Sequence, residues 1–319
     1  MDVSIVIVNW NTCNILRDCL RSVYEQTHNL NFEVIVIDNA SSDSSVEMLK
    51  DEFSQVRLIE DRKNRGFAAA NNQGIAVSKG RYVLLLNSDT IVLNSAISKT
   101  VYFADEHKDA AVVGCRVLNR DCTLQPTCFM FPSVLNILLS FSYLYKLFAG
   151  SRFFGRELMT WWGRDEVREV DVVTGCFMLV RQRAIEEVGF MDEQFFMYAE
   201  ETDWCYRFNQ AGWKVMFTPI GEIIHLGGQS SQRVRGEMLI QLRLSILQFI
   251  KKHGTLLSYL TACVLTILFF VLRVPIWLII GAFDERLKKE AAVKIRAYIR
   301  GIGQVLFTSI GLSVRKKQI

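Results

Sequence analysis

The residues best placed to do chemistry follow an apolar run in the first third of the chain. Residues 82–86 are apolar, which indicates a buried strand, and Asn87-Ser88-Asp89 comes directly after them. A carboxylate at the carboxyl end of such a strand lies where open α/β sheets bind ligands. Asp89 is an oxygen ligand suited to Mg²⁺ or Mn²⁺, and Asn87 can add a carbonyl oxygen. A simple turn with a helix cap is the alternative, and these residues alone leave both open.

A second cluster of acids lies in the second half of the chain. Glu200, Glu201 and Asp203 open a predicted helix that ends near Gly212. Acids at a helix start are stabilised by the helix dipole, which is the structural interpretation. Three acids so close together exceed what a cap needs. A carboxylate held here can instead remove the proton of a bound hydroxyl as a general base.

His225 is one of four histidines in the chain. It follows Ile223 and Ile224 and precedes a glycine-containing stretch, so we expect it at the end of a strand. A lone histidine is usually structural, but imidazole is also a common ligand of Mn²⁺. Its position alone allows both roles.

Strand and helix patterns alternate over the first hundred residues. The predicted strands are 3–8, 32–37, 56–60 and 82–87, with helical periodicity between them. This alternation predicts an α/β fold with a doubly wound, mainly parallel sheet. No Gly-x-Gly-x-x-Gly follows the first strand, so a metal held by Asp89 is expected to neutralise phosphates. Asp38 ends the second strand, where it either accepts hydrogen bonds from a base or ribose or supports its own turn.

Composition limits the class of protein. The net charge of +4 over 319 residues does not indicate nucleic-acid binding. The eight cysteines include no Cys-x-x-Cys pair, as expected for reduced thiols of a cytoplasmic protein. The N-terminus enters a strand at once and lacks the pattern of a signal peptide. We therefore expect the catalytic part to stay in the cytoplasm.

The C-terminal third contains a long apolar segment. Residues 256–272 carry no charge, Arg273 and Pro275 interrupt, and the apolar pattern resumes to residue 283. About 20 apolar residues span a bilayer, but basic residues flank both sides, and these favour the cytoplasmic face. We expect a hairpin that dips into the membrane at Arg273–Pro275 or helices in the interface, with a single crossing and a buried soluble helix as alternatives. The apolar stretch 132–162 predicts either a core helix pair or a surface that meets the membrane.

Four motifs together resemble a known family. They are Val-Ile-Val-Asn-Trp-Asn at 6–11, Val-Ile-Asp-Asn-Ala-Ser-Ser-Asp at 36–43, Asn-x-Gly-Phe-Ala with Asn-Asn-x-Gly at 64–74, and Leu-Leu-Asn-x-Asp-Thr at 85–90. The chain resembles inverting family-two glycosyltransferases of the GT-A fold, most closely their rhamnosyltransferase-like branch. The resemblance covers roughly residues 1 to 230, and the motifs are specific as a set.

The resemblance implies roles for particular residues. Those expected to contact the nucleotide-sugar are Asn9, Asn11, Asp38, Asn64, Gly66 and Asn87. Asp89 and His225 are expected to hold Mg²⁺ or Mn²⁺, although Asn87 replaces the first acid of the usual Asp-x-Asp. Glu201 takes the place of the aspartate that serves as general base, with Glu200 and Asp203 beside it. The family's processive Gln-x-x-Arg-Trp motif is incomplete at 229–233, which favours one sugar per encounter.

The resemblance also implies an activity and an organisation. We expect a metal-dependent inverting glycosyltransferase that moves a sugar, best guess from dTDP-rhamnose, to a lipid-linked saccharide at the cytoplasmic face of a bacterial inner membrane. Its expected parts are a nucleotide-sugar-binding half (1–105), an acceptor-binding half (106–235) and a C-terminal membrane-associated segment with a basic tail (236–319). A nucleotidyltransferase and a catalytically silent sugar-nucleotide-binding membrane scaffold are the alternatives.

Overall fold

The computed structural model describes residues 1–228 and 235–309. Its contacts divide the chain into two compact units. The first contains residues 1–131 and 156–230, and the second contains 132–155 and 231–319. The predicted halves 1–105 and 106–235 thus fall mainly in the first unit, and their division stays a prediction.

The first unit is built on a mixed sheet. The strands of the described chain are β1 (Val3–Asn9), β2 (Phe32–Asp38), β3 (Arg57–Glu60), β4 (Tyr82–Asn87), β5 (Thr90–Leu93), β6 (Ala110–Leu118), β7 (Cys128–Phe129), β8 (Arg168–Glu169), β9 (Val172–Val173), β10 (Phe177–Arg181) and β11 (Lys214–His225). The strand order is β3-β2-β1-β4-β10-β6-β11-β5, with β8 beside β11 and a separate β7-β9 pair. Within the described residues, β1 to β4, β6 and β11 run the same way, while β5, β8 and β10 run against them. The predicted mainly parallel sheet is confirmed.

Helices cover both faces of this sheet. Those of the first unit are α1 (Cys13–Gln26), α2 (Ser45–Glu52), α3 (Phe67–Val77), α4 (Ala96–Glu106), α7 (Gln182–Val188) and α8 (Glu200–Gln210). Those of the second unit are α5 (Val134–Ser142), α6 (Leu144–Leu147), α9 (Arg235–His253), α10 (Leu256–Phe283) and α11 (Lys288–Ser309). The four strands predicted in the first hundred residues match β1 to β4 to within a residue, whereas β5 lies outside the predicted strands.

Two apolar cores, one on each face, hold the sheet in place. Side chains alternate along a strand, so Ile5 and Ile7 of β1 pack under α1, α2 and α4, while Val6 packs on the opposite face with α3, α7 and α8. Both faces are buried, which is why these strands are continuous apolar runs rather than alternating ones. A rigid sheet of this kind fixes the positions of the loops at its edges.

The second unit corrects one prediction. Helix α10 continues through Arg273 and Pro275, so the predicted hairpin turn at these residues is wrong, whereas entry into a membrane stays a prediction. The chain reverses instead between α10 and α11, at residues 284–287. Arg273 lies within the helix, where its guanidinium lies 3.5 Å from the ring centre of Phe269 and donates to the carbonyls of Phe269 and Phe141. Pro275 cannot donate to the carbonyl of Val271, and the helix nevertheless continues past it.

Helices α10 and α11 pack closely and antiparallel. A side chain at Gly301 would come within 2.7 Å of the Phe270 ring, and one at Gly281 within 2.9 Å of Ala291. Such small residues allow two helix backbones to approach. At 28 residues, α10 is the one helix of the described chain that is long and apolar enough to cross a bilayer. This is a property of its length and composition, and no membrane is present.

The segment 132–155 exposes much of its apolar surface. Helix α5 buries Ile137 and Leu139. The large apolar residues of the segment that stay exposed are Leu135, Leu138, Tyr143, Leu147, Phe148 and Phe153. A core helix pair would bury these side chains, so their exposure argues against it, and a surface that meets the membrane stays a prediction.

Candidate active site

The predicted site residues lie at one edge of the sheet. In the parallel register, Asn9 at the end of β1 pairs with Asp38 at the end of β2. On the other side of β1, Asn87 at the end of β4 pairs with Val8. The carboxyl ends of three neighbouring parallel strands therefore meet here, which is the usual ligand-binding edge of such sheets.

Asn9, Asn11 and Asp38 form one hydrogen-bonded cluster. The Asn9 amide donates to Asp38 Oδ2 at 3.0 Å, and the Ser41 amide donates to Asp38 Oδ1 at 2.9 Å. Asn11 accepts from the backbone amide of Ser42 at 2.7 Å. Asp38 is only 2% exposed, so it holds the loops after β1 and β2 together, as its turn-supporting interpretation predicted. Its role toward a nucleotide stays a prediction.

Asn64 and Gly66 shape the loop before α3. Asn64 Oδ1 accepts from the Asn39 side chain at 3.0 Å and from the Gly66 amide at 2.9 Å. Gly66 has φ +83°, and a Cβ there would lie 2.2 Å from the Phe196 carbonyl oxygen. The amide of Phe67 donates to that same carbonyl at 2.8 Å. Only glycine fits this close contact between residue 66 and the Phe196 carbonyl. The contact fixes the loop before α3 against the segment that leads into α8.

Asn87, Asp89 and His225 converge although the chain separates them widely. Strands β5 and β11 pair antiparallel with Thr90 opposite His225, so the histidine is brought beside Asp89. His225 Nε2 lies 3.1 Å from Asp89 Oδ1 and 3.2 Å from the side-chain nitrogen Nδ2 of Asn87. The Leu226 amide donates to the Asp89 carbonyl at 2.9 Å and closes the arrangement. The structure therefore brings the two predicted metal ligands and Asn87 together.

These donors fit a divalent cation that is shared with a diphosphate. Within residues 1–228 and 235–309, no group of three or more His, Cys, Asp or Glu side chains is arranged to hold a metal. Mg²⁺ commonly takes only one or two protein carboxylates and completes its shell with water and substrate phosphates. A carboxylate oxygen and an imidazole nitrogen that face each other at 3.1 Å suit such an open site.

The two glutamates at the start of α8 are unusual because they are poorly paired. Glu200 Oε2 and Glu201 Oε2 are buried, and neither has a hydrogen-bond partner in the described part of the chain. Burial raises the pKa of Glu200 well above its ordinary value, and the charge of Glu201 adds to this. Burial also raises the pKa of Glu201. Unpaired buried carboxyl oxygens cost free energy, so a bound group is expected to supply the missing partner.

Asp203 is placed differently from its two neighbours. Its side chain is fully buried, and Oδ2 accepts from Arg207 Nε at 2.9 Å. Arg207 also donates to the carbonyls of Val188 and Phe190. The pair thus fastens α8 to the segment after α7, and Asp203 is best suited to hold the helix that presents Glu201.

Acids of α8 and of the loop after β4 both act electrostatically on one thiol. Burial raises the pKa of Cys176 to about 12, and the carboxylates of Asp89 and Glu201 are among the further causes. The backbone N–H of Asn87 also donates to the Cys176 carbonyl at 3.1 Å. The candidate base and the candidate metal ligand therefore both lie within electrostatic range of the same thiol.

Two functional positions escaped the sequence analysis. Gln125 contacts His225 through its side chain, with 2.6 Å between Oε1 and Nδ1. Asn39 bridges the loops after β2 and before α3. Asn39 lies inside a quoted motif, but Gln125 lies in a loop without any motif. The segment 229–233, in which the processive motif was sought, contains no described residue.

A cavity of about 430 Å³ opens beside the histidine. The residues that line it are Asn119, Arg120, Asp121, His225 and Leu226. A space next to a candidate metal ligand is large enough for part of a sugar or a phosphate group. The sheet edge, the donors that suit a cation and the unpaired carboxyls are features expected of a sugar-transferring enzyme.

Comparison with known proteins places the chain in a family. The family model described as glycosyl transferase family 2 matches residues 4–189, more than half of the chain. The chain therefore belongs to glycosyltransferase family 2. This membership confirms the resemblance, and it argues against the nucleotidyltransferase alternative.

Curated relatives agree at moderate identity. Glycosyltransferase GlyG of Streptococcus pneumoniae is 36% identical over 37% of this chain and 40% of its own length. The hexosyltransferase Agl10 of Haloferax volcanii, named for low-salt glycan biosynthesis, is 24% identical over 70% of this chain and 67% of its own. The N-acetylglucosaminyl-diphospho-decaprenol L-rhamnosyltransferase of Mycobacterium tuberculosis is 26% identical over 63% and 68%. The chain thus spans about two fifths to two thirds of the length of these relatives.

Solved structures confirm the fold. A mannosyltransferase from Pyrobaculum calidifontis, in complex with GDP-mannose and Mn²⁺, has a TM-score of 0.58 at 14% identity and covers 97% of this chain and 86% of its own. GalNAc-T7 with UDP, GalNAc and Mn²⁺ has a TM-score of 0.57 at 16% identity, over 79% of this chain and 48% of its own. The GT-A fold expected from the resemblance is therefore present.

Proposed function

We propose that this chain is a metal-dependent inverting glycosyltransferase. It transfers a sugar from a nucleotide-diphospho-sugar to a hydroxyl of a lipid-linked saccharide. The observation that carries the proposal is the pair of buried, unpartnered oxygens on Glu200 and Glu201, where Glu201 lies within electrostatic range of the same thiol as Asp89. An acceptor hydroxyl is the group that such a carboxylate would pair with.

The proposed reaction uses Glu201 as the general base. The acceptor hydroxyl gives its proton to Glu201 while its oxygen bonds to the anomeric carbon of the donor. The bond from that carbon to the diphosphate oxygen breaks, and the nucleoside diphosphate leaves with the electron pair. Attack opposite the leaving group inverts the anomeric carbon. Burial raises the pKa of Glu201 and so makes it a stronger base than an exposed glutamate.

The neighbouring residues have separate proposed roles. Burial raises the pKa of both glutamates, so we assign Glu200 the proton that the pair holds and leave the negative charge on Glu201. Asp89, His225 and Asn87 would hold Mg²⁺ or Mn²⁺, which when bound stabilises the charge that grows on the diphosphate. Among the expected nucleotide contacts, Asn9, Asn11, Asp38, Asn64 and Gly66 form the rim that receives the nucleoside.

The donor and acceptor are proposed by similarity. The Mycobacterium tuberculosis relative is named for rhamnosyl transfer to a decaprenol-linked diphosphate saccharide, and the sequence motifs resemble the rhamnosyltransferase-like branch. We therefore propose dTDP-rhamnose as the donor and a polyprenyl-diphosphate-linked saccharide as the acceptor. Such an acceptor lies in a membrane, which agrees with the apolar helix α10 and the exposed apolar residues of 132–155.

A donor panel tests the function. The purified full-length protein in detergent is incubated with Mn²⁺, extracted bacterial polyprenyl-diphosphate saccharides and one nucleotide-sugar at a time. We expect one donor to release nucleoside diphosphate only when acceptor is present, and the product to have the opposite anomeric configuration by NMR. No acceptor-dependent release with any donor would overturn the transferase proposal and favour a silent scaffold. Retention of configuration would overturn the base mechanism.

Membrane association has its own test. We propose that α10 enters the bilayer from the cytoplasmic face and that α11 brings the chain back to it, because the two helices form an antiparallel pair. A protease-cleavable tag at the C-terminus should be cut only after cells are permeabilised, with the protein in the membrane pellet after a high-salt wash. Cleavage in intact cells would mean a single crossing, and release by salt would mean electrostatic attachment.

A further inference from the structure

A chain of hydrogen bonds runs from the loop 119–125 to His225. It begins at Asp121, whose pKa the hydroxyl and amide of Thr123 hold below the ordinary value. The Thr123 hydroxyl donates to Asp121 Oδ1 at 2.6 Å. Because that proton is used, the same hydroxyl oxygen must accept from Asn119 Nδ2, which lies 2.9 Å away. The Leu124 carbonyl, which can only accept, also faces Asn119 Nδ2.

These contacts determine the orientation of two amide side chains. With its nitrogen toward Thr123 and Leu124, Asn119 presents Oδ1 to Gln125 Nε2 at 2.8 Å. Gln125 Nε2 also donates to the backbone carbonyl of His225 at 3.2 Å. The other end of this amide, Oε1, must then face His225 Nδ1, at 2.6 Å. An amide oxygen can only accept, so Nδ1 carries the proton.

The tautomer of His225 follows from this direction. In a neutral imidazole, a proton on Nδ1 leaves the lone pair on Nε2, and Nε2 is the atom that lies 3.1 Å from Asp89 Oδ1. The Asn87 side-chain nitrogen lies 3.2 Å from Nε2 and can donate to this lone pair, and the same lone pair is available to a cation bound beside Asp89. Residues that orient a ligating histidine through its second nitrogen are a general feature of metal sites.

We propose that Gln125 is a positioning residue for the metal, because it holds His225 in the Nδ1–H tautomer with Nε2 turned toward Asp89. This rests on the metal site of the proposed function. Gln125 itself touches neither metal nor substrate. The loop 119–125 therefore contributes to catalysis although none of its residues belongs to a recognised motif.

The test compares Gln125→Met with Gln125→Glu in the full-length protein. Methionine keeps an unbranched side chain but lacks the amide oxygen, whereas glutamate keeps an acceptor at the same place. Nitrogen-15 NMR of the metal-free protein, with the His225 signal assigned by its loss in His225→Gln, reports the tautomer. We expect Nδ1–H in the wild type and Gln125→Glu, and a shift toward Nε2–H in Gln125→Met.

Metal binding gives a second readout. Titration of Mn²⁺ in the presence of a nucleoside diphosphate, followed by electron paramagnetic resonance, should show about 10- to 100-fold weaker binding in Gln125→Met and no weakening in Gln125→Glu. Gln73→Met is the matched control. Gln73 lies on α3 and donates to Asp61, so its replacement should leave the His225 tautomer and Mn²⁺ binding unchanged. Asn119→Ala is a second variant, for use if Gln125→Met fails to fold. It keeps Gln125 but removes the Asn119 oxygen that orients its amide, so Mn²⁺ binding should weaken by less than in Gln125→Met.

The outcomes separate the two proposals. An unchanged tautomer in both Gln125→Met and Asn119→Ala would overturn the positioning role. If the tautomer shifts but Mn²⁺ binds equally well to these variants and to Asp89→Ala, the metal site of the proposed function is wrong, while the orienting contact stands. Weaker binding in Gln125→Glu as well would mean that Gln125 acts through packing alone, which also overturns the role.

Discussion

Replacing Glu201 by glutamine is the most direct test of the mechanism. The amide has almost the same shape as the carboxyl group but cannot take a proton from the acceptor. A general base contributes about 10²- to 10⁴-fold to turnover, which corresponds to about 3–5 kcal/mol of transition-state stabilisation. Because burial raises the pKa of Glu201, we expect a loss in the upper half of that range.

The structure also predicts what Glu201→Gln leaves unchanged. Glu201 Oε2 has no partner within the described residues, so the amide breaks no hydrogen bond there, and it removes a charge that is unfavourable to bury. The thermal midpoint should therefore not fall. The Michaelis constant for the donor should also stay the same, because Glu201 is assigned to the acceptor side.

The assay measures turnover against pH for the wild type and the variant. A base must be deprotonated to act, so wild-type turnover should fall as the pH falls through the raised pKa, at a midpoint above the ordinary value of 4.5. This acid limb should vanish in Glu201→Gln. Glu25→Gln, an exposed glutamate on α1, is the matched control and should behave as the wild type. Full activity of Glu201→Gln would refute the reasoning and move the base to Glu200 or Asp203.

Three further changes test separate parts of the site. Asp89→Ala should abolish transfer and Mn²⁺ dependence; wild-type rates in the variant, or in the wild type with excess chelator, would contradict the metal mechanism. Gly66→Ala should lower the free energy of unfolding by at least about 2 kcal/mol in chemical denaturation, because of its positive φ and the nearby Phe196 carbonyl, whereas the exposed Gly163→Ala should not. Burial raises the folded-state pKa of Glu200 above its ordinary value of 4.5, so the wild type loses stability as the pH rises above that value. Glu200→Gln should remove this loss, so the thermal midpoint of the variant should rise relative to that of the wild type as the pH increases toward 8. A difference between the two midpoints that does not change with pH would contradict a raised pKa at Glu200.

The fold was predictable because its signals are local. The apolar runs of β1, β2 and β4 and the helical spacing between them are each visible within a short stretch, and the alternation of the two determines the topology. Helix α10 was harder. Proline is a strong local signal for a break, but α10 continues through Pro275 and packs against α11, a long-range contact that no local pattern shows.

The site was predictable only in part, because its geometry depends on long-range pairing. Asp89 and His225 were each candidates, but only the register of β5 with β11 brings them within 3.1 Å. Gln125 gave no signal, since its importance comes from the direction of hydrogen bonds that no spacing rule encodes. Asn39 was visible in a motif, but its contact with Asn64 depends on how two separate loops meet.

The thiols of the chain have a practical consequence for studying this enzyme. Of the eight cysteines, Cys122 alone is exposed, and it lies in the loop 119–125. Burial raises the pKa of most of the others, for example those of Cys19 and Cys128 to about 12, so few of their thiols are ionised and reactive. A maleimide fluorophore or spin label should therefore attach at one place without mutagenesis. Cys122 thus gives the wild-type protein a labelling site close to the cavity beside His225. Its side chain is not one of those that orient His225.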